Sequence, residues 1–174
     1  MNKASEHKPE KIIQEILTLV GHRELSAEEA ETVFLRCLSF IRDKKMVEDV
    51  ANDLGLWLSG FRMNGVLELY YDIRWKDKDI GYISKGWEDP GFRIGDVIDL
   101  DYAGIEMFRR NADKILNTCA TQGVACGANL VEGDKLQLDL SICIYQEGFN
   151  AGTVEAALET FELCVGRVKS FLSG

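Results

Sequence analysis

Lys135-Leu136-Gln137-Leu138-Asp139-Leu140-Ser141-Ile142-Cys143-Ile144-Tyr145 carries an aliphatic side chain at every second position, with polar or small residues and Tyr145 between. A period of two over this length is that of a strand with one face on a core and the other toward water. The stretch runs through Gly148, Asn150, Ala151 and Gly152 into a helical pattern, with Val154, Ala157, Leu158, Phe161, Cys164, Val165, Val168, Phe171 and Leu172 on one face. Thr153 is the expected N-cap. Gly166 interrupts this helix at a cost of about 1 kcal/mol against alanine, so either the backbone is closely approached there or the site tolerates it. A half-buried strand feeding an amphipathic helix sets the class as α+β.

Working back, Val124 to Val131 and Lys135 to Tyr145 read as a hairpin about Glu132-Gly133-Asp134, where the glycine permits the positive φ of a tight turn. Before it, Ile105, Phe108, Ala112, Ile115, Leu116 and Cys119 mark the inner face of a helix that Gly123 ends. Three strands are expected earlier: Val66 to Trp75, with Leu67, Leu69, Tyr71, Ile73 and Trp75 facing one way, then Ile80 to Ser84 and Asp96 to Tyr102. Lys76-Asp77-Lys78-Asp79 is a charged turn, and Lys85 to Gly95, with three glycines and Pro90, reads as a loop.

The first sixty residues have the period of helices. Pro9 opens one that carries Ile12, Ile13, Ile16, Leu17 and Val20 and ends at Gly21. Ser26-Ala27-Glu28-Glu29 is a capping box for a second, with Ala30, Val33, Phe34, Cys37, Leu38 and Ile41 as its inward stripe. Met46 to Ser59 is expected to be a third, through Val47, Val50, Leu54, Trp57 and Leu58. The expected order is helices-β-β-β-α-β-β-α: an antiparallel sheet with flanking helices, in a single domain over residues 1–174. Residues 1–60 are a helical N-terminal extension and 66–174 the sheet-containing core.

Composition narrows the function. With 174 residues and 46% hydrophobic content the chain can build a core. A net charge of -9 disfavours nucleic acid and anionic membranes, both of which call for a basic surface. No apolar run is long enough to span a bilayer, and Met1 to Lys11 has no secretory pattern. Five cysteines, an odd number at irregular spacing, read as reduced thiols in apolar surroundings, and a cytoplasmic location is expected.

The C-terminal text, Asn129-Leu130-Val131-Glu132-Gly133-Asp134-Lys135-Leu136-Gln137-Leu138-Asp139-Leu140 followed by Gly148, Thr153, Glu155, Ala156 and Leu158, resembles the YbjN family of bacterial sensory transduction regulators. Residues 66–174 carry the resemblance. It implies the fold of the type III secretion chaperones and a small acidic protein that forms a homodimer and binds segments of other proteins. It brings no catalytic residues.

Candidate chemistry is sparse. His7 and His22 are the two histidines and have no nucleophile or ligand pattern around them. Cys119 and Cys126 lie seven apart across a turn, outside the two-residue gap of zinc and thioredoxin-like motifs, and packing is the plainer reading. Asp96, Asp99 and Asp101 form a cation site if they converge and a solvated face if they do not. No phosphate-binding glycine motif is present. Trp87 and Phe92, with Arg93, lie in the glycine-rich loop; they form either a protein-binding group or a lid on the end of the sheet core. The expected function is a non-catalytic protein-binding module of chaperone or regulatory type, without cofactor or metal. The alternatives are an acidic immunity or inhibitor protein neutralising a basic partner, and a small-molecule enzyme using Cys119 or the aspartates.

Overall fold

In the computed structural model of the chain, residues 14–16, 18, 21, 25–64, 68–86, 88–131 and 135–173 are described, with the backbone alone for 62–64. The chain divides into two units, Met1–Ser39 and Phe40–Gly174. Most of the expected first helix lies outside the described residues. No described helix is long and apolar enough to cross a membrane.

The described elements are α1 (Ala27–Leu54), β1 (Trp57–Asn64), β2 (Glu68–Trp75), β3 (Lys78–Lys85), β4 (Gly91–Leu100), α2 (Tyr102–Thr121), β5 (Ala125–Val131), β6 (Lys135–Tyr145) and α3 (Ala151–Ser173). The strands form one six-stranded antiparallel sheet in the order β1-β2-β3-β4-β6-β5. The architecture is therefore α+β with an antiparallel sheet, as the period of the sequence requires. At 135–145 the structure follows the alternation: Leu138 and Leu140 are wholly buried, while Cys143 and Tyr145 are exposed.

Paired residues in a sheet share a face. Tyr71 pairs Ile83, Ile83 pairs Ile94, and Ile94 pairs Ile142, so these four lie together on the core side. Helices α2 and α3 pack on each other and over β4, β5 and β6. The second half of α1 reaches the same side, where Val47 and Val50 join the core and Glu48 accepts from the Tyr71 hydroxyl at 3.4 Å. Removing a Leu, Ile or Val side chain from water at such positions stabilises by about 1.5–3 kcal/mol each. The core consequently has one side and one cluster.

Several expectations are corrected. The second and third helices are a single one, α1, which ends where Gly55 takes φ +64°, a left-handed conformation that glycine adopts without strain. The segment 57–64, whose first three residues were expected to end a helix, is the edge strand β1, so four strands precede α2. A bulge between Ser59 and Arg62 turns Phe61 back to the core side, against Tyr71 at 5.2 Å between ring centroids. Trp57, expected in the core, is 62% exposed, whereas Trp75 is buried. In addition, β4 starts at Gly91, so the loop after β3 is only Gly86–Pro90. Gly91 belongs to the strand because a Cβ there would sit 2.2 Å from the Ile144 carbonyl oxygen.

Helix ends follow their caps. Ser26 and Glu29 form the expected box, the Glu29 N–H donating to Ser26 Oγ at 3.2 Å and the Ser26 N–H to Glu29 Oε2 at 2.8 Å. That bond from the Ser26 backbone holds the Glu29 carboxyl below its ordinary pKa. Val33, Cys37, Leu38 and Ile41, expected on the inward stripe of this helix, are exposed. At α3 the cap is Asn150, not Thr153. The Thr153 N–H donates to Asn150 Oδ1 at 3.1 Å, and Thr153 Oγ1 accepts from the Asn150 N–H at 3.2 Å. Gly166 is exposed with nothing within 4 Å of a built Cβ, so no close approach accounts for it.

Candidate functional site

The sheet face turned away from the helices carries the alternate residues of each strand. Tyr70 pairs Ser84 and Asp72 pairs Tyr82; Ser84 pairs Arg93, and Val97 pairs Asp139. These side chains share the open face, joined at its ends by exposed Trp57 and Tyr145. Such a face usually alternates polar and small residues, and here aromatic rings occupy it.

Tyr70 and Tyr82 stack at 5.1 Å between ring centroids with 22° between planes. The Tyr82 hydroxyl donates to Asp139 Oδ1 at 3.2 Å. Gly95 lies beneath the ring: a Cβ there would come within 2.5 Å of Tyr82 Cζ and its hydroxyl oxygen. Stack, hydrogen bond and glycine floor together fix the ring of Tyr82. Nearby, Gln137 Nε2 donates to Asp99 Oδ1 at 2.7 Å.

The Tyr82 phenol is pushed up to about 12 from 10.0, first by burial and then by the Asp139 carboxylate, with the Arg93 guanidinium acting against them. A folded-state pKa above the unfolded one gives stability that is fully present below pH 10 and is lost as pH rises toward about 12. In a tyrosinate absorbance titration, Tyr82→Phe therefore removes amplitude from the late step near pH 12. Loss of amplitude from the step near pH 10 instead would contradict this placement.

The sequence candidates fall elsewhere. Trp87 lies outside the described residues. Phe92 is wholly buried in β4, with its ring centroid 3.9 Å from that of Phe149, so it supports the core and offers no surface. Arg93, the next residue, is exposed on the open face. The three aspartates do not converge. Asp96 accepts from Lys169 Nζ at 3.1 Å, Asp99 from Gln137, and Asp101 caps α2 by accepting from the Gly104 N–H at 2.8 Å. Among the described residues no group of three or more His, Cys, Asp or Glu is placed to hold a metal ion. Cys119 and Cys126 do come together, with Cys164: the Cys119 and Cys164 sulfurs are 3.8 Å apart and buried. Burial raises the pKa of all three thiols, which keeps them protonated and unreactive. His7 and His22 lie outside the described residues.

Sequence reasoning missed Tyr70, Tyr82 and Asp139 as a group. The available signal was a tyrosine at a polar-face position of β2, next to the inward Leu69 and Tyr71.

No protein-family model and no curated protein matches the chain. Its fold is similar to the crystal structure of an uncharacterized protein from Methanothermobacter thermautotrophicus, with a TM-score of 0.59 and 11% identity over 75% of this chain and 96% of that one. At that identity the likeness concerns the fold alone.

Proposed function

We propose that this chain is a non-catalytic protein-binding module of chaperone or regulatory type, and that the open sheet face centred on Tyr70 and Tyr82 receives the partner. The observation that carries this reading is the fixed aromatic pair on a face where solvated polar residues are the rule. Tyrosine offers a large rigid apolar surface with a polar tip, and with arginine it is enriched at the centres of interfaces. Arg93 and Arg74 add forked donors, and Asp72 and Asp139 add acceptors, on the same face. The YbjN-like text of residues 129–158 agrees with this class of function.

The test compares the tagged full-length chain with Tyr70→Ala/Tyr82→Ala as baits in the native extract, captured proteins being quantified by mass spectrometry. Removing two central aromatics is expected to weaken the specific partner by about tenfold or more, while circular dichroism stays unchanged. Equal capture by both baits would sink the proposal. Persistence of the wild-type complex in high salt is expected from aromatic contacts, whereas early release would move the reading to charge-driven neutralisation of a basic partner.

A further inference from the structure

The ladder between β3 and β4 stops short. The two strands pair at three positions, Tyr82 with Gly95, Ile83 with Ile94 and Ser84 with Arg93, although β4 runs on to Leu100. Past that point β3 keeps only its ladder to β2, and β4 only its ladder to β6. The cause lies in β3. Ile80 is the extra residue of a bulge, since Ile73 pairs Gly81 and Arg74 pairs Asp79, and Gly81 takes φ +127°. A bulge bends its strand, and glycine adopts such a positive φ without strain.

A cavity of about 220 Å³ opens there, lined by β3, β4 and α3. Buried Ile80, Phe161 and Val165 form its apolar floor. Two ion pairs stand at its rim, Lys78 with Glu162, and Lys169 Nζ with Asp96 Oδ2 at 3.1 Å. Gly166 completes the helix wall. Glu162 comes four residues before it and Lys169 three after, so all three share one face of α3. Nothing lies within 4 Å of a Cβ built at Gly166, and a side chain there would take room from the cavity. A glycine that packing does not explain, and that weakens a helix interior, thereby acquires a reason.

We propose that this cavity binds a free α-amino acid with an apolar side chain. Charge selects the ligand. The rim offers two ammonium groups and two carboxylates, so a simple anion or cation would satisfy one set and be repelled by the other. A zwitterion meets both, its carboxylate accepting from Lys78 or Lys169 and its ammonium donating to Glu162 or Asp96 as charge-assisted hydrogen bonds. The floor receives the apolar side chain. The volume lies below the roughly 300 Å³ at which drug-sized pockets begin, which suits a single small molecule. The cavity is on the helix-covered side of the sheet, away from Tyr70 and Tyr82, so either proposal can fail without the other.

The test titrates the full chain with L-leucine and with L-phenylalanine in a calorimeter, where saturable one-to-one binding of at least one is expected. Each is compared with its own deaminated acid and its decarboxylated amine, which are expected to bind about tenfold or more weakly. Gly166→Ala and Gly166→Met should both raise the urea midpoint, because each removes a glycine from a helix interior. Binding is expected to weaken about threefold for alanine and about tenfold or more for methionine, a loss that misfolding cannot supply at raised stability. Absence of saturable heat with either amino acid overturns the proposal. So does a Gly166→Met chain that binds like wild type. Equal binding of an amino acid and its acid or amine would leave the apolar floor as the whole attraction, and that too overturns recognition of a zwitterion.

Discussion

Replacing Asp43 with alanine lowers folding stability by about 3–5 kcal/mol, measured as a shift of the urea midpoint at constant slope. Asp43 lies on α1 and Lys85 at the end of β3, and their side chains are 7% and 5% exposed. Lys85 Nζ donates to Asp43 Oδ2 at 2.9 Å, and Gln146 Nε2 donates to Asp43 Oδ1 at 3.1 Å. The Phe92 ring lies 5.7 Å from the ammonium. Alanine at 43 leaves that ammonium buried without its counter-charge, and this uncompensated charge dominates the cost. Removing both charges, as Asp43→Leu/Lys85→Met, leaves no buried charge uncompensated and deprives only the half-buried Gln146 amide of an acceptor, so it is expected to come within about 1–2 kcal/mol of wild type. A loss below about 1 kcal/mol for Asp43→Ala would mean that water reaches the pair as it does at a surface.

Phe92→Ala is the second large effect, at about 3–5 kcal/mol in the same denaturation experiment. The ring is wholly buried and packs on Phe149, so its loss opens a cavity in the core. Phe92→Leu should recover roughly half of the loss, because volume and not chemistry is at stake. Had Phe92 been a binding residue on a surface loop, either substitution would cost less than about 0.5 kcal/mol. That smaller value would refute its placement in the core.

The difference between these two residues and their neighbours explains what was legible in the chain. Where one strand alternates without a break, as in 135–145, periodicity alone locates it and assigns its faces; the same holds for α3, and for α2 except at Leu116, which was expected inward and is exposed. Near β1 the signal fails for a physical reason. Trp57 and Leu58 continue the helical spacing of Val47, Val50 and Leu54, and the bulge then puts two residues where alternation expects one. At β4, glycines needed for close packing at Gly91 and under Tyr82 at Gly95 imitate the glycines of a loop. The open-face group was hidden for another reason. Tyr70, Tyr82 and Asp139 come from three strands, and a register shift between Ile73 and Arg74 decides which residues of β2 and β3 meet. No local pattern encodes that register.

The buried sulfur cluster has a chemical consequence. With Cys119 and Cys164 buried, Cys126 half-buried, and burial holding all three as protonated thiols, the exposed cysteines of the five are Cys37 and Cys143. One lies on α1 and the other on the open sheet face beside Arg93. For electrophiles the protein has two addresses rather than five, and one of them adjoins the face we assign to the partner.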